Sequence, residues 1–248
     1  MRDLVLRCAN IAFIKRAPAF WNEFKLFRKK TELLADNRFE ISASNIYPCM
    51  NDRTVATDFD RHYILHPAWA ARIIKETNPE FHIDISSSLS FCTMLSAFIP
   101  VKFYDYRPAH LNLSNLDSQH GDLHNLPFAD NSVSSLSCMH VIEHIGLGRY
   151  GEPIDPQGDL KAINELKRVL KKDGTLLFVT PVGKPKIMFN AHRIYSFSQI
   201  QSYFKELELV GFSLVPDDPK VAGLITNATQ EMSDKQEYGC GCFWFKKK

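Results

Sequence analysis

The chain has 248 residues and a net charge of +2, and 45% of its residues are hydrophobic and 23% charged. This composition is typical of a globular protein and excludes a disordered or fibrous chain. The small net charge gives no reason to expect nucleic acid as a partner. No uninterrupted apolar stretch approaches the roughly 20 residues that span a bilayer. Because no signal peptide is recognisable either, we expect a cytoplasmic protein.

The first thirty residues combine aromatic and basic side chains. Apolar residues at Phe20, Phe24 and Phe27 follow helical spacing, and Pro18 is expected to start or kink a second helical piece. The basic residues of this segment are Arg2, Arg7, Lys15, Arg16, Lys25, Arg28, Lys29 and Lys30. Three interpretations stay open: a helical arm packed on the main domain, a helix in peripheral contact with an anionic membrane, and an oligomer contact.

Strand patterns alternate with helix patterns over most of the chain, which indicates parallel crossovers in an α/β sheet. The expected helices cover residues 66–77, 89–99, 159–171 and 197–207. The expected strands cover residues 81–85, 101–106, 133–139, 175–180, 212–216 and 241–246. We therefore divide the chain into an N-terminal helical extension and cap, 1–78, and an α/β domain, 79–248.

The six cysteines are scattered along the chain and are expected to be reduced and mostly buried. They lack the C-x-x-C spacing of zinc sites. Cys240 and Cys242, with one glycine between them, are typical of alternate positions in a strand rather than of half a zinc site.

Polar residues follow the ends of the first three expected strands, and in open α/β sheets ligands bind beyond such carboxyl ends. The residues in question are Asp84, Ser86, Ser88, Asp105, Asp122, His140, Glu143 and His144. The sequence therefore predicts a binding site at this edge of the sheet.

Several segments between about residues 81 and 182 follow one another in an order that resembles a known family. An acidic residue lies near the first strand end and another closes the second strand, followed by G-D-x-x-x-L-P-F at 121–128. A strand then runs into E-H-I, and K-R-V-L-K-K-D-G precedes T-L-L-F-V-T-P. This order resembles the class I S-adenosylmethionine-dependent methyltransferases. Residues 104–108, 140–155 and 190–193 are similar to an uncharacterised methyltransferase-like family that has a domain-of-unknown-function label.

The resemblance implies a Rossmann-like α/β fold, a mostly parallel sheet flanked by helices, with S-adenosylmethionine as the cofactor. It implies cofactor contacts from Asp84, Ser86, Ser88, Asp105 and Asp122. A carboxylate at the position of Asp105 can accept hydrogen bonds from both ribose hydroxyls, and Asp122 matches the residue that accepts from the adenine amine. Ser86 and Ser88 replace glycines of the family, which leaves a non-catalytic binding domain as an alternative.

The expected acceptor side lies after the third strand and around residues 190–193. His140, Glu143, His144 and His192 are candidate catalytic groups, because a base near neutral pKa suits removal of a proton from an accepting hydroxyl. Arg149 and Arg193 are expected either to hold an anionic substrate group or to pair with surface carboxylates. The function predicted is methyl transfer to a small molecule, with a sugar or glycan precursor as one candidate.

The segment from His140 to His144 also matches the H-x-x-E-H pattern of zinc hydrolases, the second alternative function. In that pattern one helix presents both histidines on the same face. Because residues 132–139 have a strand pattern, His140 is expected at a strand end, and no metal is predicted.

Overall fold

A computed structural model describes residues 2–221 and 223–248, with side chains described from residue 16 onward. The chain forms two compact units, Met1–Asp58 and Phe59–Lys248. The side chains of Arg2, Arg7, Cys8 and Lys15 lie outside the described part. No described helix is long and apolar enough to cross a membrane.

The first unit consists of helix α1 (Arg2–Leu33) and an irregular segment with a short 3-10 turn. Pro18 lies inside α1, so the two helical pieces expected from the sequence form one helix. Arg53 pairs with Glu23 at 2.9 Å and ties the irregular segment to α1. Phe27 is 62% exposed within this structure, and the role of the arm stays a prediction.

The second unit contains five helices and nine strands among its described residues. The helices are α2 (Arg61–Thr77), α3 (Leu89–Leu95), α4 (Gly158–Val169), α5 (Phe197–Tyr203) and α6 (Gln230–Asp234). The strands are β1 (His82–Ile85), β2 (Val101–Asp105), β3 (Leu116–His120), β4 (Val133–Met139), β5 (Leu170–Val182), β6 (Lys186–Met188), β7 (His192–Ile194), β8 (Leu207–Val215) and β9 (Gly239–Lys247).

Seven strands form one sheet in the order β3-β2-β1-β4-β5-β9-β8. The pairs from β3 to β5 are parallel, whereas β9 runs antiparallel to both β5 and β8. Strands β6 and β7 form a separate antiparallel pair. This confirms the predicted mostly parallel sheet, and it brings the carboxyl ends of β1, β2 and β4 to one edge.

Helices cover both faces of the sheet through two buried apolar clusters. Residues of α4 and α5, such as Leu166 and Ile200, pack on one face. Residues of α2 and α3, such as Trp69 and Phe91, pack on the other face together with Cys240 of β9. Helix α2 thus belongs to the second unit, whereas the sequence grouped it with the N-terminal extension.

Element boundaries differ from the sequence prediction where local capping decides them. Helix α2 begins at Arg61 because the Asp60 side chain accepts from the Tyr63 N–H at 3.1 Å and caps it. Helix α4 ends at Val169, and β5 follows at Leu170 without a connecting turn. Strand β3 was missed because it is a polar edge strand in which Leu116 is its only buried residue.

Candidate functional site

A buried polar chain supports the end of β1. His82 is fully buried, with Nδ1 2.7 Å from Ser135 Oγ and Nε2 2.8 Å from Ser137 Oγ. The Ser137 hydroxyl in turn donates to the Asp84 carboxylate. Burial holds the pKa of His82 far down, at about 3, so the ring is neutral.

Asp84 lies at the centre of this support. It is fully buried, and its Oδ1 accepts from the Ser87 N–H at 3.0 Å. Burial raises the pKa of Asp84, although the hydrogen bonds from Ser137 and Ser87 oppose the rise. The enclosed carboxylate positions the following loop in this structure, and the expected cofactor contact of Asp84 stays a prediction.

The serine loop after β1 keeps a backbone conformation that favours glycine. Ser86 has a φ of 55°, in the left-handed region. Its N–H and its hydroxyl both donate to Tyr104 O, at 2.8 and 3.2 Å. Ser87 Oγ accepts from the Met139 N–H at 3.0 Å, and Ser88 caps α3 by accepting from the Phe91 N–H at 3.2 Å. The hydroxyls therefore fix the turn between three strands.

Asp105 and Asp122 follow the two neighbouring strands and are both half-buried. Asp105 Oδ1 accepts from the Arg107 N–H at 2.7 Å, and its other oxygen makes no hydrogen bond with the described residues. Asp122 Oδ1 accepts from the His124 N–H at 2.8 Å, and its side chain is 44% exposed. Both carboxylates thus keep an oxygen that is available to a ligand at the ends of β2 and β3.

His140 and Glu143 form a buried pair directly after β4. His140 Nδ1 lies 2.8 Å from Glu143 Oε1, and the two residues are 6% and 1% exposed. Burial disfavours the charged His140, but Cys240 and Glu143 outweigh it and raise the pKa of His140 to about 10. Burial also opposes ionisation of Glu143, but His140 prevails and lowers the pKa of Glu143.

Helix α2 adds aromatic and imidazole rings to this pair that sequence reasoning missed. The His140 ring centroid lies 5.2 Å from that of His62, 5.4 Å from Tyr63 and 5.1 Å from His66. Burial and the neighbouring His140 lower the pKa of His62 to about 4. His62 and His66 occupy one face of α2, and this i, i+4 spacing was the available signal.

His192 and His144 join the same cluster from the opposite side. The His192 ring lies 4.9 Å from Tyr238, which itself stacks 5.1 Å from His62. The His144 and His192 centroids are 6.5 Å apart, and His144 Nδ1 is 2.6 Å from Ala191 O. Burial lowers the pKa of His192. The structure thus brings together all four predicted catalytic side chains.

The H-x-x-E-H pattern does not form the helical zinc site of hydrolases. His140 has a φ of 58° at the end of β4, and Ile142–His144 forms only a 3-10 turn. The expected strand placement of His140 is confirmed. With His144 Nδ1 directed at a backbone carbonyl, the two histidines do not share a helix face.

The two predicted substrate-binding arginines differ in their surroundings. Arg193 is 5% exposed; its guanidinium donates to Ile145 O at 2.7 Å and lies 3.6 Å from Asp159. Arg193 thus ties buried segments together, and its expected substrate contact stays a prediction. Arg149 is exposed and donates to Ala191 O at 3.0 Å. It therefore joins the loop after β4 to the segment before β7, the two parts of the expected acceptor side.

The loop after β4 that contains Arg149, Tyr150 and Glu152, called the acceptor-side loop, also reaches the end of β2. The Arg107 guanidinium stacks on the Tyr150 ring at 4.6 Å, and Arg149 stacks on the same ring at 5.1 Å. Glu152 accepts from the Gly148 and Tyr150 N–H groups at 2.9 and 2.8 Å. These contacts give the loop a defined position next to Asp105.

Comparisons with known sequences point to an uncharacterised group of proteins. A family model described as "Caenorhabditis protein of unknown function, DUF268" matches residues 124–238. This range includes three of the five histidines of the imidazole cluster, which consists of His62, His66, His140, His144 and His192. An uncharacterized protein of Methanocaldococcus jannaschii is 32% identical over 94 residues, 36% of this chain and 35% of that protein. The chain therefore matches about a third of the length of this relative.

Comparisons with solved structures identify the fold. The 1,6-didemethyltoxoflavin-N1-methyltransferase of Burkholderia thailandensis, in a structure with bound S-adenosylhomocysteine, gives a TM-score of 0.51 at 10% identity, over 73% of this chain and 78% of that chain. A SAM-dependent methyltransferase of Thermotoga maritima gives 0.50 at 14% identity, over 75% and 91%. The YcgJ protein of Bacillus subtilis gives 0.50 at 13% identity, over 73% and 99%. The predicted Rossmann-like class I methyltransferase fold is confirmed.

Proposed function

We propose that the protein is an S-adenosylmethionine-dependent methyltransferase that acts on a small molecule. The observation that carries the proposal is the meeting of two groups of residues at one edge of a methyltransferase-type sheet. The serine loop, Asp105 and Asp122 surround the ends of β1 to β3, and the imidazole cluster begins directly after β4 at His140. Ligands of open α/β sheets bind at such an edge.

The residues at the first three strand ends fit the cofactor. Ser86 holds the left-handed turn that a glycine would otherwise supply, so the loop retains its shape despite the substitution. The free oxygen of Asp105 would accept from the ribose, and that of Asp122 from the adenine amine. Asp84 would position the loop. The cofactor supplies an electrophilic methyl group.

The acceptor side would be formed by the imidazole cluster and the loop that contains Tyr150. His192 and His144 are half-buried nitrogen bases at its border and would take the proton of an accepting hydroxyl. Arg149 is exposed at the same border and would hold an anionic group of the acceptor. A sugar or glycan precursor, which offers hydroxyl groups and often phosphate, fits these groups.

The test is transfer of a labelled methyl group from S-adenosylmethionine to a panel of small hydroxylated acceptors, including sugars and sugar phosphates. We expect turnover with wild type, and a loss of at least about 100-fold with His192→Ala at unchanged cofactor affinity, as for removal of a general base. Lys186→Ala, which changes an exposed side chain of the neighbouring strand β6, is the control. Cofactor binding without turnover on any acceptor would favour the non-catalytic binding domain.

A further inference from the structure

The imidazole cluster contains a buried nitrogen that no described residue satisfies. His140 Nε2 has no hydrogen-bond partner within the described part of the chain. The other ring nitrogen, Nδ1, is 2.8 Å from Glu143 Oε1 and therefore donates its N–H to this carboxylate. In the neutral ring this tautomer leaves a lone pair on Nε2, so an ion that binds there replaces the second ring proton; the side chain is more than nine-tenths buried. Buried nitrogens without a partner are rare and need an explanation, and a bound ion is one such explanation.

Two other potential metal ligands lie close to His140, although they belong to elements distant in sequence. Cys240 lies on β9 opposite Pro181 of β5 and is fully buried, and His62 lies in the first turn of α2. One ligand atom from each of His62, His140 and Cys240 lies within 4.8 Å of the others. The three residues belong to the same compact unit.

We infer that His62, His140 and Cys240 bind a divalent transition-metal ion, Zn²⁺, as three ligands of a tetrahedral site. Imidazole nitrogen and thiolate sulfur are the ligands that zinc prefers, and three protein ligands leave the fourth position for water or substrate. Since His62 is the half-buried member of the three, the open position is reached from its side.

The distances fit a zinc site after small side-chain movements. With Zn–N of about 2.0–2.1 Å and Zn–S of about 2.3 Å, tetrahedral ligands are about 3.3–3.7 Å apart. Donor atoms that already lie within 4.8 Å reach this spacing by shifts of about 1 Å. Rotation of the half-buried His62 side chain supplies such a shift without moving the sheet.

Glu143 completes the arrangement as the residue that orients a ligand. Zinc-bound histidines usually donate their second N–H to a carboxylate, which fixes the tautomer and makes the ring a better ligand. The pair of His140 and Glu143 has this geometry before any ion binds. The charges also balance, because one zinc ion offsets the Cys240 thiolate and the Glu143 carboxylate. Binding releases the thiol proton of Cys240 and the second ring proton of His140 to solvent.

The sequence predicted no metal because His140 and His144 do not share a helix face, and that placement holds. The zinc ligands come instead from α2, the end of β4 and β9, a combination that no local spacing reveals. Cys240 and Cys242 do occupy alternate positions in a strand, but only Cys240 belongs to the group of donors. In the proposed methyltransferase, the fourth position would bind an acceptor hydroxyl. Only this role of the zinc ion, and not its binding, rests on the proposed function.

The experiment is titration of metal-free wild-type protein with Zn²⁺ in a calorimeter and with Co²⁺ under an absorption spectrometer. We expect one ion per chain and a thiolate-to-cobalt charge-transfer band. Cys240→Ser should abolish the band, and His62→Ala should weaken zinc binding at least about 10-fold. Glu143→Gln should weaken it about 10- to 100-fold, the effect expected for an orienting carboxylate. No step requires methyl transfer, so the result does not depend on the proposed function.

Cys242→Ser is the matched control, because Cys242 is a buried cysteine of the same strand. It should retain the charge-transfer band and wild-type zinc affinity. Circular dichroism checks that each variant is folded. His62→Ala changes a half-buried side chain, so it tests the site without a substitution in the core. Absence of stoichiometric binding to wild type, or equal binding by Cys240→Ser and wild type, would overturn the inference.

Discussion

The guanidinium of Arg107 stacks 4.6 Å from the ring of Tyr150, which joins the end of β2 to the acceptor-side loop. The contact links the proposed ribose-binding strand end to the segment that follows the imidazole cluster. Methyl transfer requires the donor and the acceptor to be held in line. A contact between these two segments would help to fix the acceptor relative to the cofactor.

Tyr150→Ala should loosen the acceptor-side loop, because the cation–π contacts to Arg107 and Arg149 are worth about 0.5–1 kcal/mol each at exposed sites. We expect faster tryptic cleavage after Arg149, measured by limited proteolysis and mass spectrometry. Tyr150→Phe keeps the ring and should behave like wild type. Equal cleavage rates in Tyr150→Ala and wild type would show that the contact does not hold the loop.

Ser86→Gly should leave the fold stable and should not weaken binding of S-adenosylhomocysteine. Glycine relieves the left-handed strain of about 1–2 kcal/mol, whereas loss of the hydroxyl bond to Tyr104 O costs about 0.5–1.5 kcal/mol. Ser86→Val should be clearly destabilised, since a β-branched residue is poorly tolerated at a φ of 55°. Urea unfolding measures both variants.

Ser90→Gly, in helix α3, is the control for glycine in an ordinary conformation and should lower stability by a few tenths of a kcal/mol or more. If Ser86→Gly were the more destabilised of the two glycine variants, the left-handed turn would not be the reason for the family's glycine.

His82 should make the protein less stable as the pH falls. Burial lowers its pKa from 6.5 to about 3. Between these two pH values the ring is protonated in the unfolded chain but not in the folded chain. The contribution is complete above pH 6.5 and is lost below it by about 1.4 kcal/mol per pH unit. Between pH 7 and 5, wild type should lose about 2 kcal/mol more than His82→Gln, which can still bond Ser135 and Ser137.

Urea unfolding of both proteins at pH 7, 6 and 5 measures this difference. His62 and His66, whose pKa values are also lowered, are present in both proteins and cancel in the comparison. Parallel losses of stability would contradict a neutral, buried His82.

Arg193→Ala should unfold more easily than wild type, by about 3–5 kcal/mol, because it leaves the buried Asp159 carboxylate without its cation. In a melting experiment this corresponds to a decrease of about 6–20 °C. His192→Ala removes a neighbouring, half-buried side chain and should melt near wild type. A stable Arg193→Ala that fails only in turnover would support the substrate-binding role expected from the sequence.

The fold could be predicted from the sequence because the apolar residues follow helix and strand periods and polar residues follow the strand ends. Ile83 of β1, Leu136 of β4 and Leu177 of β5 each belong to a run of buried strand residues, and α4 has one apolar face. Strand β3 escaped prediction because an edge strand needs few apolar residues.

The candidate site was predictable only in part. Asp105 and His140 were found because they directly follow strands. The contacts of His62, Tyr238 and Cys240 depend on tertiary packing between distant elements, which local spacing does not encode. The burial of Asp84 and Arg193 was not predicted, because a sequence does not show whether a charged side chain faces the surface or the core.

Calorimetric titration of S-adenosylhomocysteine into the wild-type protein tests the central claim most directly. We expect one molecule bound per chain and a stabilisation of about 2.7 kcal/mol at a hundredfold excess over the dissociation constant. Asp105→Ala should bind about 10- to 150-fold more weakly, the equivalent of 1.5–3 kcal/mol for lost charge-assisted hydrogen bonds, while Asp117→Ala on β3 should bind as wild type. Neither heat nor a melting shift at millimolar ligand would contradict the account.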